Sequence, residues 1–143
     1  MAFEPNAINV IPTRAVLNVD LRDPDEPKLQ AAEVALARYL DDLAQTESVA
    51  ISTERLARSA PVTFDRGIVE LIEQAATRRG LRSRRMTSGA GHDAQMMQRI
   101  CPTAMIFVPS VAGLSHNVKE HTDAADLAAG AQVLLNLMLE LAG

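Results

Sequence analysis

Aromatic side chains are scarce in this chain, with three Phe, one Tyr and no Trp among 143 residues. Packing therefore falls to the aliphatic residues, and an apolar content of 48% is enough for a core. Cysteine occurs once, at Cys101, so an internal disulfide is excluded and a reducing, cytoplasmic setting is expected. Unbroken apolar runs fall far short of the roughly 18 residues that a membrane span needs, so no membrane partner is expected. The opening "MAFEPNAINV" lacks a basic head followed by an apolar stretch, so no secretion signal is expected. Excess positive charge is also missing. The net charge is -4 and the pI about 5.3, which argues against a general nucleic-acid footprint. Histidine is limited to three residues, and this bears on any metal chemistry.

What is present is alternating strand and helix patterning. Residues 14–22 alternate, with Ala15, Leu17, Val19 and Leu21 on one face, and predict a strand. "RDPDEP" ends it and opens a helix over 27–44, with Leu29, Ala32, Leu36, Leu40 and Leu43 on one stripe. A second strand is expected over 48–58. Asp65 caps a helix over 66–79 that uses Ile68, Val69, Ile72 and Ala76, and Gly80 ends it. Beyond residue 80 the character changes. A short strand (81–86), a Gly-Ala-Gly loop and a short helix (92–99) follow. "AMIFVP", residues 104–109, predicts a strand buried on both faces. A final helix is expected over 123–141, with Leu127, Ala131, Leu134 and Leu135 inward and Leu137, Met138 and Leu141 widening the stripe. The pattern is mixed α/β, with a candidate boundary near residue 80.

Three places carry chemistry. In "SGAGHDAQMM" two glycines deliver His92 and Asp93 to a helix start, where free N–H groups favour an anion. The competing reading is a histidine that only caps its helix. In "GLSHNVKEHT", His116 follows the buried strand at its carboxyl end, where open α/β sheets place ligands, and can bind a metal. Glu120 can orient a ligand there, and His121 is expected to be exposed. Arg22, with Asn9 upstream, offers a fork suited to a carboxylate; the alternative is pairing with Asp20, Asp23 or Asp25. "TRRGLRSRR" can hold an anion or form a solvated helix end. Cys101 and the Met96–Met97 pair read as packing. No nucleophile elbow accompanies Ser88 or Ser115, which argues against a serine hydrolase.

As a set, "PNAINVIPTRAVLNVDLRDPDE", "MTSGAGHDAQMM" and "AMIFVPSVAGLSHNVKEHTDAADLAAGAQVLL" resemble the carboxyl-terminal third of the hydantoinase/carbamoylase amidases, which are metallopeptidase-like hydrolases. The resemblance implies that residues 1–80 are the later part of a ferredoxin-like lid and dimerisation domain. Residues 81–143 would close a zinc-peptidase-like catalytic domain. It implies hydrolysis of a linear amide or ureido C–N bond, in N-carbamoyl-L-amino acids or allantoate, by water held between two zinc or manganese ions. It makes His116 similar to the last metal ligand, His92 similar to a substrate-contacting histidine, and Asn9 and Arg22 similar to the pair that grips the substrate carboxylate. The family's glycine after "NVIP" is Thr13 here, so strain is expected if that turn needs positive φ.

A two-metal site needs about five protein ligands and a general base. By the resemblance, most of these precede the motifs present here. The chain alone is therefore expected to lack activity and tight metal binding. Either a homo-oligomer or a partner supplying the missing segment is expected. A non-catalytic binding or assembly module that kept the lid pairing surface is the alternative.

Overall fold

The computed structural model describes residues 1–143. They form two compact units, Met1–Pro61 and Val62–Gly143. The division falls before the helix that begins at Arg66. That helix packs on the last helix of the chain and so belongs with the second unit.

In the first unit β1 (Ala2–Glu4) and β2 (Arg14–Val16) form an antiparallel pair, with Phe3 opposite Ala15 and Glu4 opposite Arg14. The facing charges of Glu4 and Arg14 meet at 3.4 Å. The Thr13 amide and hydroxyl both donate to the Glu4 carbonyl, at 2.8 and 3.0 Å. Thr13 is not among the residues at positive φ, so the expected strain is not present. Its hydroxyl instead makes a bond that glycine has no group to make.

Helix α1 (Glu26–Thr46) starts where the Asp25 carboxylate accepts the Lys28 amide, with Pro27 in the first turn, where no intrahelical amide is needed. Leu29 is buried, and Leu36, Leu40 and Leu43 are half-buried, as the stripe predicted; Ala32 is exposed. The extended segment after α1 returns Arg58 to the helix. Its guanidinium bonds Glu26 and Glu33, and these three side chains are only 22–31% exposed.

In the second unit α2 (Arg66–Arg78) is capped by Asp65, whose carboxylate accepts the Ile68 amide at 2.9 Å. It packs on α4 (Ala124–Ala142) through Ala75, Ala76 and Val133, with Ile72, Leu81 and Ile106 around them. Small residues on α2 let the two helices approach. Gly130 of α4 does the same for the segment before it, because a Cβ there would lie 2.5 Å from Val108 Cγ1. Helix α3 (Ala94–Met97) is a single turn.

Several expectations need correction. Only residues 14–16 of the predicted 14–22 strand are paired, and 48–58, 81–86 and 104–109 form no ladder; Ser48 lies in a turn with φ of 52°. A strand pattern declares a preference, but the ladder needs a partner, and no neighbour supplies one here. On α4, Leu127, Leu134 and Leu135 are 53, 48 and 48% exposed and Ala131 is exposed too; Val133 and Leu137 are the buried pair. The helix is apolar around most of its circumference, so the sequence could not say which arc would face α2. By length and composition alone, helix α4 is long and apolar enough to cross a membrane, although Asp126, Gln132, Asn136 and Glu140 interrupt its apolar run. Cys101, Met96 and Met97 are exposed, not core.

The accessible surface is 11566 Å². A folded monomer of this mass exposes about 7,200 Å², and two separately folded units of these sizes about 8,600 Å². About 3,000 Å² therefore remains open beyond what compact folding leaves.

Candidate functional site

Asn9 and Arg22 lie in the first unit, His92 and His116 in the second. All four are exposed. Asn9 sits in the turn between β1 and β2. Arg22 lies beyond the end of β2 and closes on Asp20, with Nε to Oδ1 at 2.9 Å and Nη2 to Oδ2 at 2.6 Å. That hydrogen bond holds the Asp20 carboxyl below its ordinary range and raises the guanidinium above its own. The fork is thus shaped for a carboxylate and holds an internal one. An external carboxylate would have to displace Asp20.

His92 caps its own helix. Its Nδ1 accepts the Ala94 amide at 3.0 Å, which in neutral imidazole leaves the proton on Nε2. The capping and ligand-contacting readings are therefore compatible, since one nitrogen caps and the other remains a donor.

His116 sits in a loop with unusual backbone. Ala112, Gly113 and His116 have φ of 57°, 67° and 54°. Left-handed backbone is costly for residues with a Cβ and persists only where surroundings hold it. Three bonds do so here. The Val111 amide donates to His121 O at 2.8 Å, the Ser110 hydroxyl to Leu114 O, and the His116 amide to the Glu120 carboxylate at 2.7 Å. Glu120 orients the backbone of His116 rather than its ring. His121 is exposed, as expected, and its Nε2 lies 3.7 Å from Asp123.

The basic run is partly neutralised from within. Arg78 bonds Glu140 at 2.6 Å, and Arg85 bonds Glu73 at 2.9 and 2.7 Å. A shallow groove of about 390 Å³ runs along α2 past Glu70, Glu73 and Arg78; none of the four candidate residues lines it. The acid–base pairing across α2 was not legible in the sequence, because its partners lie 12 and 62 positions apart.

The donor set does not fit a catalytic metal. No group of three or more His, Cys, Asp or Glu that could hold an ion is assembled. His116 offers one imidazole on an exposed loop, whereas catalytic zinc takes about three protein ligands.

The model of peptidase family M20/M25/M40 matches residues 5–140. The chain is 39% identical over 142 residues to an N-carbamoyl-L-amino-acid amidohydrolase of Rhizobium meliloti, covering 99% of this chain and 34% of that protein. It is 33% identical over 138 residues to an allantoate amidohydrolase of Escherichia coli, covering 96% and 34%. Among solved structures, a hydantoinase/carbamoylase family amidase from Burkholderia vietnamiensis superposes with a TM-score of 0.84 at 34% identity, over 97% of this chain and 34% of that one. The crystal structure of AtUAH in complex with glyoxylate gives 0.90 at 31% identity, over 98% and 33%. The chain spans about a third of the length of the relatives it matches. Members of this family use zinc or manganese, and this chain by itself presents no cluster to bind either. Matched over residues 5–140 and similar to these proteins over nearly its whole length, the chain belongs to peptidase family M20/M25/M40, among the hydantoinase/carbamoylase amidases.

Proposed function

We propose that this chain is the carboxyl-terminal portion of a metal-dependent amidohydrolase that cleaves the C–N bond of an N-carbamoyl-L-amino acid or allantoate. The observation that carries this reading is the match over residues 5–140, together with relatives named for those two substrate classes. Residues 1–80 then contribute the later part of a lid and dimerisation domain, and 81–143 the end of the catalytic domain. The enzyme is cytoplasmic, in keeping with its single free cysteine.

Each candidate residue has a role its chemistry supports. The Arg22 fork, with Asn9, grips the substrate carboxylate after exchange with Asp20. The Nε2–H of His92 donates to a substrate oxygen while Nδ1 stays on the Ala94 amide. His116 supplies one ligand to a metal site whose other ligands come from outside these 143 residues. When bound, the metal would activate the attacking water. The chain alone, with one such ligand, is inactive.

The test is release of ammonia from N-carbamoyl amino acids with zinc or manganese added. The pure chain should give none. A complex that includes the remaining two thirds of the fold should be active and lose activity on His116→Ala. Turnover by the pure chain would refute the reading. An inactive but well-assembled complex would do so as well.

A further inference from the structure

Asp20 and Arg22 lie two residues apart, beyond the end of β2. Three contacts join them: Nε to Oδ1 at 2.9 Å, Nε to Oδ2 at 3.1 Å and Nη2 to Oδ2 at 2.6 Å. The carboxylate lies side-on along one edge of the guanidinium, in the two-toothed manner of any carboxylate on arginine. Both side chains face water, with 65% of Asp20 and 60% of Arg22 exposed.

Asp20 differs from its acidic neighbours in having no other task. The Asp23 carboxylate accepts the Asp25 amide at 2.8 Å, and Asp25 accepts the Lys28 amide at 3.2 Å to start α1. Glu26 accepts from Arg58 and Gln30. These three build the entry to α1. Asp20 accepts no backbone amide, and each of its bonds goes to Arg22. The local fold does not require it.

We infer that Asp20 is a built-in competitor for the carboxylate site: it occupies the Arg22 fork at rest and swings out when the carboxylate of an N-carbamoyl amino acid enters, so that it sets how tightly such ligands bind. The inference rests on the reading above for the role of Arg22 and for the ligand class. Two features support the exchange. The internal and external groups are alike in charge and shape, so each can take the other's place. The pair is also exposed, and water makes such pairs weak and quick to open. An exposed pair favours its closed form by about two- to fivefold, and a site closed for that share of the time binds its ligand weaker by about the same factor. Because the bond from Arg22 holds the Asp20 carboxyl below its ordinary range, the competitor is ionised at neutral pH.

The experiment uses the complex of the full chain with the remaining two thirds of the fold, and calorimetry with N-carbamoyl-L-alanine. Asp20→Asn should lower Kd by about two- to fivefold, and Asp20→Ala by at least as much. Asp23→Asn removes the same charge nearby but keeps an acceptor for the Asp25 amide, and should leave Kd unchanged. Neither Asp20 variant should tighten binding in an Arg22→Ala background. N-carbamoyl-L-alaninamide, which carries no carboxylate, should bind wild type and Asp20→Asn alike. Should Asp20→Asn fail to fold, Asp20→Ser replaces it. A raised Kd would overturn the inference, because Asp20 would then be holding Arg22 in place for the ligand. An unchanged Kd would overturn it too, as would an equal gain from Asp23→Asn, which would point to the general field. Tightened binding without turnover keeps the competitor and sinks the catalytic reading. Turnover with unchanged binding does the reverse, and no binding by either wild type or Asp20→Asn overturns both.

Discussion

Replacing Gly130 by alanine tests the contact that seats the unpaired strand on α4. The new Cβ would stand 2.5 Å from Val108 Cγ1. Carbon atoms in contact rest about 3.5–4.0 Å apart, so the intrusion is about 1 Å or more. Val108 is β-branched and turns its methyls only with difficulty, so the strand or the helix must shift. Overpacking of this kind costs about 1–3 kcal/mol. Against it stands the helix preference for alanine, about 1 kcal/mol over glycine in the middle of a helix. The net expectation is a loss of up to about 2 kcal/mol. In a Val108→Ala background the obstructing methyls are gone. There Gly130→Ala should stabilise by about 1 kcal/mol, the propensity alone. The substitution therefore changes sign between backgrounds, with a coupling energy of about 1–3 kcal/mol. Urea unfolding followed by far-ultraviolet circular dichroism, with all four proteins compared at equal slope, measures it. If Gly130→Ala stabilised both backgrounds equally, Val108 would not press on α4, and the seated face of the strand would be wrong.

Leu137→Ala removes a buried side chain of α4, 6% exposed, and should cost about 2–3 kcal/mol in the same urea assay. Asp65→Ala deletes the cap that accepts the Ile68 amide and should cost about 1 kcal/mol, whereas Asp65→Asn should cost less than half of that because it keeps an acceptor. Glu26 is held below the ordinary carboxylate range, first by its hydrogen bond from Arg58 and then by that from Gln30. A depressed carboxyl contributes stability fully above its unfolded pKa and loses it as pH falls through the folded one. The urea midpoint should therefore fall with acidification below the ordinary glutamate range, and less steeply in Glu26→Gln; parallel pH profiles would refute the assignment to this pair.

The helices were legible in the sequence because their hydrogen bonds close within a few residues. The cap at Asp65, the "RDPDEP" entry to α1 and the stripe of Leu29 and Leu36 each act locally, and the structure places helices within two residues of the expected bounds at α1, α2 and α4. The family was legible too, since spaced motifs survive in a chain whatever its partners. The four candidate residues were selected by type and neighbourhood. Tertiary structure decided what those residues touch at rest: Arg22 on Asp20, His92 on the Ala94 amide, and Glu120 on the His116 backbone.

The strands divide the two kinds of knowledge. Alternation at 14–22 and the apolar run at 104–109 express a preference for extended backbone. Whether that preference becomes a sheet depends on residues elsewhere that offer a matching edge. Only Arg14–Val16 meets one, in Ala2–Glu4. The inward arc of α4 was equally undetermined, because a helix apolar nearly all round has no single direction to turn. Short-range bonds and side-chain spacing were fixed by the order of residues; edge pairing and burial, which depend on distant surfaces meeting, were settled only by the folded arrangement.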